Sequence, residues 1–274
     1  MYVPAFLEIN QPFQVTFNDN NEKYASFPNS MVVIEQGAKA ILFTEIISGD
    51  NNEILRDSKL YASVGETASL NYLEIQNLNQ HSYHFSNSWV TLMKNANFYS
   101  SIANFGSLLT KTRFGCSLQG QGAKADLHGI YFGNNEQHFD MRTIQYHESR
   151  DTTSNVFYKG AVRDHAHSIY QGLIKVFPDA QKTDAYQSDK NLILNSNARA
   201  DSIPSLEIEA NDVRCTHGAT TGKINEEEIF YLMTRGLSHS QARKMIVNGF
   251  FEDVIKYVPD QLQEKYRVIV DEKL

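Results

Sequence analysis

The sequence predicts a mainly β chain that closes with a small α-helical domain. Three observations carry this. From residue 31 to about residue 220, short apolar or aromatic runs recur, each closed by a break rich in Gly and Asn. Within that region no stretch repeats apolar residues at helical spacing. Beyond residue 222 the pattern changes, and helix caps precede apolar residues three and four apart.

Residues 1–30 read as N-terminal capping strands. Phe13, Val15 and Phe17 alternate as a strand does, residues 18–21 supply a turn, and an opening hairpin or similar cap is expected. Residues 31–222 form the β core. Its runs include Met31–Ile34, Ala40–Ile47, Lys59–Val64, Ala68–Ile75, Asn97–Phe105, Ala123–Phe132, His138–His147, Ala166–Val176 and the short Asn191–Leu194. The breaks fall at Gly37, residues 49–52, Gly65, Asn95, Gly120 to Gly122 and Gly133 to Asn135. Such strands build a sandwich, a barrel or a solenoid of parallel rungs. Gly129 and Gly172 lie inside strand-like runs, where backbones bend or pack closely, and the turns are too varied for regular hairpins; both features lean toward the solenoid.

Residues 203–230 close the core and open the helices. Leu206 and Ile208 alternate with Glu207 and Glu209, and Val213 to Ala219 reads as a second strand. Residues 223–274 form the helical domain. Asn225 with Glu228 three residues on is a capping-box arrangement, Glu226 to Glu228 complement the dipole of the first turn, and Gly236 ends the helix. Ser238 with Gln241 opens the next, whose apolar stripe is Ala242, Met245, Ile246, Phe250, Val254, Ile255 and Val258. Pro259 ends that run. A last short helix is expected to fray into an extended tail at Val268 to Val270.

Composition excludes several classes. The 274 residues are 41% hydrophobic and 21% charged, which is the balance of a folded chain, and no stretch approaches the ~20 apolar residues of a membrane span. The net charge of −7 argues against nucleic acid as a general partner, and no membrane partner is expected. Cys116 and Cys215 form no disulfide framework, and the start Met1-Tyr2-Val3-Pro4 lacks a basic flank and apolar core, so a soluble cytoplasmic protein is expected.

No phosphate loop, His-Glu-x-x-His, Gly-x-Ser-x-Gly or repeated Cys-x-x-Cys occurs. Tyr146 to Asp151 and Arg163 to His167 are the richest polar clusters. His165 and His167 would share a face on one strand, although polar residues on the solvent side of a sheet account for both clusters, and Lys159 and Arg163 are expected to pair with nearby acids. Cys116 reads as a buried thiol. Cys215 and His217 also lie two apart, so on a strand they face one way with α-carbons about 7 Å apart, within reach of one soft metal ion or cluster. By itself that spacing fits a small buried thiol better than a ligand pair.

The joined run Asn197-Ala198-Arg199-Ala200-Asp201-Ser202-Ile203-Pro204-Ser205-Leu206-Glu207-Ile208, then Asp212 to Gly222, then Glu228 to Leu237, resembles the SufB/SufD family of iron–sulphur cluster assembly proteins. His147, Tyr158-Lys159-Gly160 and His165-Ala166 are similar to it too, and the likeness extends from about Lys59 to Val258. Within the family, His217-Gly218-Ala219-Thr220-Thr221-Gly222 resembles the SufD form. The resemblance implies a right-handed parallel β-helix followed by a helical C-terminal domain. It implies a non-catalytic scaffold in a SufBCD-type complex, with a SufB-like subunit pairing through the β-helix and a SufC-like ATPase held by the helices. It further implies that His217 faces that partner as a cluster or iron ligand with Cys215 beside it. SufC docking then falls in the helices from Glu226 to Tyr257, with Glu228, Tyr231, Arg235 and Gly236 as contacts and residues 235–237 as the bend. No cofactor is expected to stay on the isolated chain, an iron–sulphur cluster being held transiently in the complex, and a homodimer is expected where SufB is absent. A purely structural platform with no iron or sulphur contact is the alternative. Family members usually carry a further N-terminal helical domain, so the resemblance also implies a short natural form or a truncated piece.

Overall fold

The computed structural model describes residues 1–20, 23–50 and 53–274. In chain order the strands begin β1 (Tyr2–Val3), β2 (Phe13–Asp19), β3 (Tyr24–Ser26), β4 (Asn29–Ile34), β5 (Lys39–Ser48) and β6 (Ile54–Val64). They continue β7 (Ser69–Asn77), β8 (Tyr83–Leu92), β9 (Asn97–Asn104), β10 (Leu109–Leu118), β11 (Lys124–Gly133) and β12 (His138–His147). The last are β13 (Thr153–Val162), β14 (His167–Val176), β15 (Asp184–Ile193), β16 (Arg199–Ile208) and β17 (Arg214–Lys223), before helices α1 (Glu226–Thr234), α2 (His239–Ile255) and α3 (Asp260–Glu272).

From β4 onward successive strands alternate between two sheets, and within a sheet each strand pairs in parallel with the one a full turn ahead. A turn advances about 30 residues: Leu109 sits beside His138, Lys124 beside Thr153 and Asp184 beside Arg214. The result is a parallel β-solenoid, which decides among the architectures that strand patterning left open. The opening strands belong to it as well. β1, β2 and β3 pair in parallel with β4, β5 and β6, so the opening segment is a solenoid turn and not a hairpin. The turns expected at residues 18–21 and 49–52 fall partly outside the described residues.

One corner of the solenoid repeats without repeating its sequence. Gly37, Thr67, Asn95, Gly122, Asp151 and Lys182 all take positive φ there. Each N–H reaches the next turn, as in Gly37 N to Glu66 O at 2.8 Å, Thr67 N to Lys94 O at 2.9 Å and Asp151 N to Gln181 O at 2.9 Å. The residue after each is small and buried: Ala38, Ala68, Ala96, Ala123, Thr152 and Thr183. The ladder of backbone bonds offsets the strain that the non-glycine residues accept.

Parallel pairing stacks equivalent positions into columns. One inward column of the second sheet reads Leu42, Tyr72, Ser100, Leu127, Val156, Gln187, His217, and the next Thr44, Glu74, Ile102, Gly129, Tyr158, Asp189, Ala219. Large interior side chains are admitted by glycines, as the strand-borne glycines predicted: a Cβ on Gly129 would stand 2.2 Å from the Tyr158 ring, and one on Gly172 2.1 Å from the Gln187 amide.

The helices cover part of the outer face of the second sheet, from β5 to β13, which is there buried on both sides. Phe251, Val254, Ile255, Tyr266 and Val270 pack with Phe43, Leu73, Ile75, Phe105 and Phe132. Each side chain so buried contributes roughly 1.5–3 kcal/mol. Polar pins fix the seating: Lys159 Nζ donates to Phe250 O at 2.6 Å and pairs with Asp253 at 2.7 Å, and Arg243 Nη2 donates to Leu194 O at 2.9 Å. Two helix expectations change. α3 runs through Val268 to Val270, with Ile269 and Val270 buried, because that face meets the sheet. In α2, Ala242, Val254 and Ile255 are buried as expected, but Met245 is exposed, and Val247 and Phe251 join the buried face.

Candidate functional site

The solenoid stops at β16 and β17. Among the described residues the two sheet orders end on these strands, β16 pairing only with β14 and β17 only with β15. Each therefore presents a ten-residue edge with unpaired backbone donors and acceptors, a template for strand addition. Pro204 sits in the middle of β16 beside Gly172, and a mid-strand proline is tolerated where one edge is free. That proline is the sequence signal for an edge. Ile203 and Ile208 remain exposed on the same strand.

β17 places the two predicted ligands in the last layer. Cys215 lies beside Ala185 and His217 beside Gln187, so both continue inward columns and share a face. His217 is exposed, whereas Cys215 is half-buried against the cluster of Ile174, Val176, Ala180, Ala185 and Ala210. Burial raises the Cys215 thiol above its ordinary value and favours the protonated form. Among the described residues no group of three or more His, Cys, Asp or Glu side chains is placed to hold a metal ion. An imidazole and a thiol on one open rung offer two donors of kinds that transition metals accept.

The layer beneath is polar. Gln187, Asp189 and Asn191 point inward from β15 and are almost wholly buried. Asn191 Nδ2 donates to Asp189 Oδ2 at 2.7 Å, and Tyr131 donates its hydroxyl hydrogen to Asn191 Oδ1. Gln187 Oε1 and Asp189 Oδ1 have no hydrogen-bond partner. Burial pushes the Asp189 carboxyl up to about 7. Sequence reading recovered only the end of this strand, since Gln187, Asp189 and Asn191 look like surface residues. Their alternation with Ser188 and Lys190 was the available signal.

α1 follows directly on β17. Asn225 caps it, its side chain accepting from Glu227 N at 2.9 Å while Asn225 Nδ2 donates to Glu228 Oε1 at 3.3 Å. Glu228 thus bonds the cap side chain and not the cap backbone; the full reciprocal box forms instead at Ser238 and Gln241. Ile229 is the buried residue of α1, whereas Phe230, Tyr231 and Met233 are exposed. Arg235 lies over the Tyr231 ring at 5.1 Å and donates to its hydroxyl at 3.1 Å, and Gly236 takes φ +95° at the bend. Glu228, Tyr231, Arg235 and Gly236 therefore gather on one short exposed helix and its end, while Cys215 and His217 gather on the terminal rung.

The other polar clusters have structural partners. Asp164 and His165 lie in the turn before β14, where His165 meets Glu136 at 3.3 Å, whereas His167 on the strand meets Asp201 at 2.8 Å. His147 is buried between Thr152 Oγ1 and Ser154 Oγ, each at 2.8 Å, and burial pushes it down to about 4. Cys116 is buried, its thiol pushed up to about 12.

A family model described as the SUF system FeS cluster assembly, SufBD core domain, matches residues 16–250. Among curated proteins, an iron–sulfur cluster assembly SufBD family protein of Mycobacterium leprae is 34% identical over 200 residues, covering 70% of this chain and 51% of its own length. One of Mycobacterium tuberculosis is 29% identical over 280 residues, covering 97% of this chain and 68% of its own. One of Staphylococcus saprophyticus is 28% identical over 264 residues, covering 94% and 56% respectively. The chain spans from about half to two-thirds of the length of these relatives. No helix among the described residues is long and apolar enough to cross a membrane.

Proposed function

This chain belongs to the SufBD family of the SUF iron–sulphur cluster assembly system, and from that premise we propose that it is a non-catalytic scaffold subunit of a SufBCD-type complex, of the SufD kind. In this reading the free edges of β16 and β17 pair with a SufB-like subunit, and His217, with Cys215 beside it, contributes a ligand to iron or to a nascent cluster at the joint. The cluster is cargo. The exposed face of α1, with Glu228, Tyr231, Arg235 and Gly236, docks a SufC-like ATPase, which supplies the nucleotide chemistry for which this chain has no phosphate loop. The SufD assignment rests on His217 to Gly222.

The observation that carries the reading is that the column holding His217 ends, uncovered, on a rung whose two edges are both free. A partner adding strands there would bring its own side chains level with His217 and complete the coordination that two donors cannot. The test is anaerobic cluster reconstitution of the assembled complex with His217→Ala. Iron content is expected to fall while SufB-like and SufC-like subunits still co-purify; unchanged iron with an intact complex would remove His217 from the ligand set. That outcome favours the second reading, a structural platform with no iron or sulphur contact. Without a SufB-like subunit the same edges can pair with a second copy of this chain.

A further inference from the structure

The two ends of the solenoid finish on different side chains. At the closing end the inward positions of β17 are Cys215, His217, Ala219 and Thr221, and the edge strand β16 carries Asp201 and Glu207. At the opening end Phe13, Val15 and Phe17 of β2 continue the inward columns, beside Leu42, Thr44 and Ile46 of β5. Among the described residues β2 pairs only with β5, and Phe13 and Val15 are 43% and 41% exposed although they face the interior. Tyr2, Phe6, Phe27 and Met31, at the same end, are between 61% and 72% exposed. Among the described residues β1 covers β4 only at Val33 and Ile34, so Met31 lies on a free stretch of edge, and with Val15, Phe17 and Pro28 it lines one cavity of ≈ 310 Å³. Large apolar groups thus crowd the place where both sheets present unpaired backbone.

Area and charge select the occupant. A bare aromatic side chain offers roughly 150–250 Å², so the exposed parts of Tyr2, Phe6, Phe13 and Phe27, with Val15 and Met31, leave on the order of 600 Å² of apolar surface. A specific interface takes about 800 Å² from each partner, of which about 65% is non-polar in a homodimer, and the opening end meets that need. Charge is sparse there. Asp19 is held by Arg56 and Glu8 by Lys39, each at 2.8 Å, and the terminal ammonium donates to Met31 O at 2.7 Å. Antiparallel to its own copy, β2 sets no like charges opposite one another. We propose that the opening end is the contact of a symmetric dimer, in which a second copy of this chain meets it about a twofold axis with the two β2 strands antiparallel and Phe13, Val15, Phe27 and Met31 of each copy withdrawn from water. The contact lies at the far end of the solenoid from His217 and is independent of the iron–sulphur reading.

Sedimentation velocity of the full chain, from about 1 to about 100 μM, tests this. A concentration-dependent shift from one chain to two is expected. Val15→Lys and Phe27→Asp set charges opposite their own copies and should each raise the dissociation constant at least about tenfold with an unchanged circular dichroism spectrum. Should Val15→Lys fail to fold, Phe27→Asp decides alone. Ile203→Lys, on the exposed face of β16 at the other end, should leave the dimer as it is. A chain that stays single at about 100 μM overturns the inference and leaves the opening end to a partner of another kind. So does a dimer that Phe27→Asp does not weaken, or one that Ile203→Lys dissolves, since association would then run through the closing end.

Discussion

Replacing Asp189 by Asn probes the electrostatics of the layer beneath the terminal rung. Asp189 is 1% exposed, with one oxygen bonded to Asn191 Nδ2 and the other without a partner. Burial lifts its carboxyl from 3.8 to about 7. In the unfolded chain it ionises near pH 4. Between about pH 4 and pH 7 the folded state therefore holds a proton that the unfolded state has released, so its stability contribution is full below pH 4 and is lost as pH rises through 7. At about 1.4 kcal/mol per pH unit, the loss between pH 5 and pH 8 is about 3 kcal/mol. The wild-type profile alone conceals this. His84, His128 and His147 are buried and depressed to about 3, about 4 and about 4, and a buried neutral histidine makes stability rise with pH over the acid range. The difference between variant and wild type cancels those histidines. Urea unfolding followed by far-ultraviolet circular dichroism at pH 5, 6, 7 and 8 should show the Asp189→Asn chain gaining about 3 kcal/mol on the wild type from the lowest to the highest pH. A difference constant to within about 0.5 kcal/mol would refute the reasoning, placing Asp189 in contact with water or a cation.

Two other substitutions test the solenoid interior. His147 stands where its column has Leu118 before it and Val176 after it, so His147→Leu fits the space but orphans the Ser154 hydroxyl, while Thr152 keeps its bonds to Ser149 O and Thr183 Oγ1, and about 1–3 kcal/mol of stability should be lost in urea unfolding. Adding Ser154→Ala, which restores the Ala125 of the turn before, should recover most of that loss; failure to recover it would mean that the histidine does more than satisfy that hydroxyl. For Gly160→Ala, the new Cβ would meet the Tyr131 ring at 2.0 Å, so the melting temperature should drop by an amount equivalent to about 3 kcal/mol, and Tyr131→Leu in the same chain should return part of it. An unaltered melting temperature for the single variant would show that the ring can move aside.

Strands, helices and their punctuation were largely legible in the chain itself. Apolar runs such as Ala40–Ile47 and Ala123–Phe132 form strands because the second sheet is buried on both faces, and Ser238 with Gln241 forms the reciprocal cap that its spacing announces. The pairing of Cys215 with His217 on one face also followed from a period of two. What composition could not convey was register. Each strand's partner lies about 30 residues away, and the corner that sets this spacing uses Gly, Thr, Asn, Asp and Lys interchangeably because backbone bonds hold it. Only stacking therefore decided that Gln187 and Asp189 face inward, that Arg56 is buried beside Asp19, and that among the described residues no further strand follows His217 in its column. A polar residue reads the same in sequence whether it meets water or another turn of the chain, and burial is decided by contacts that no local pattern encodes.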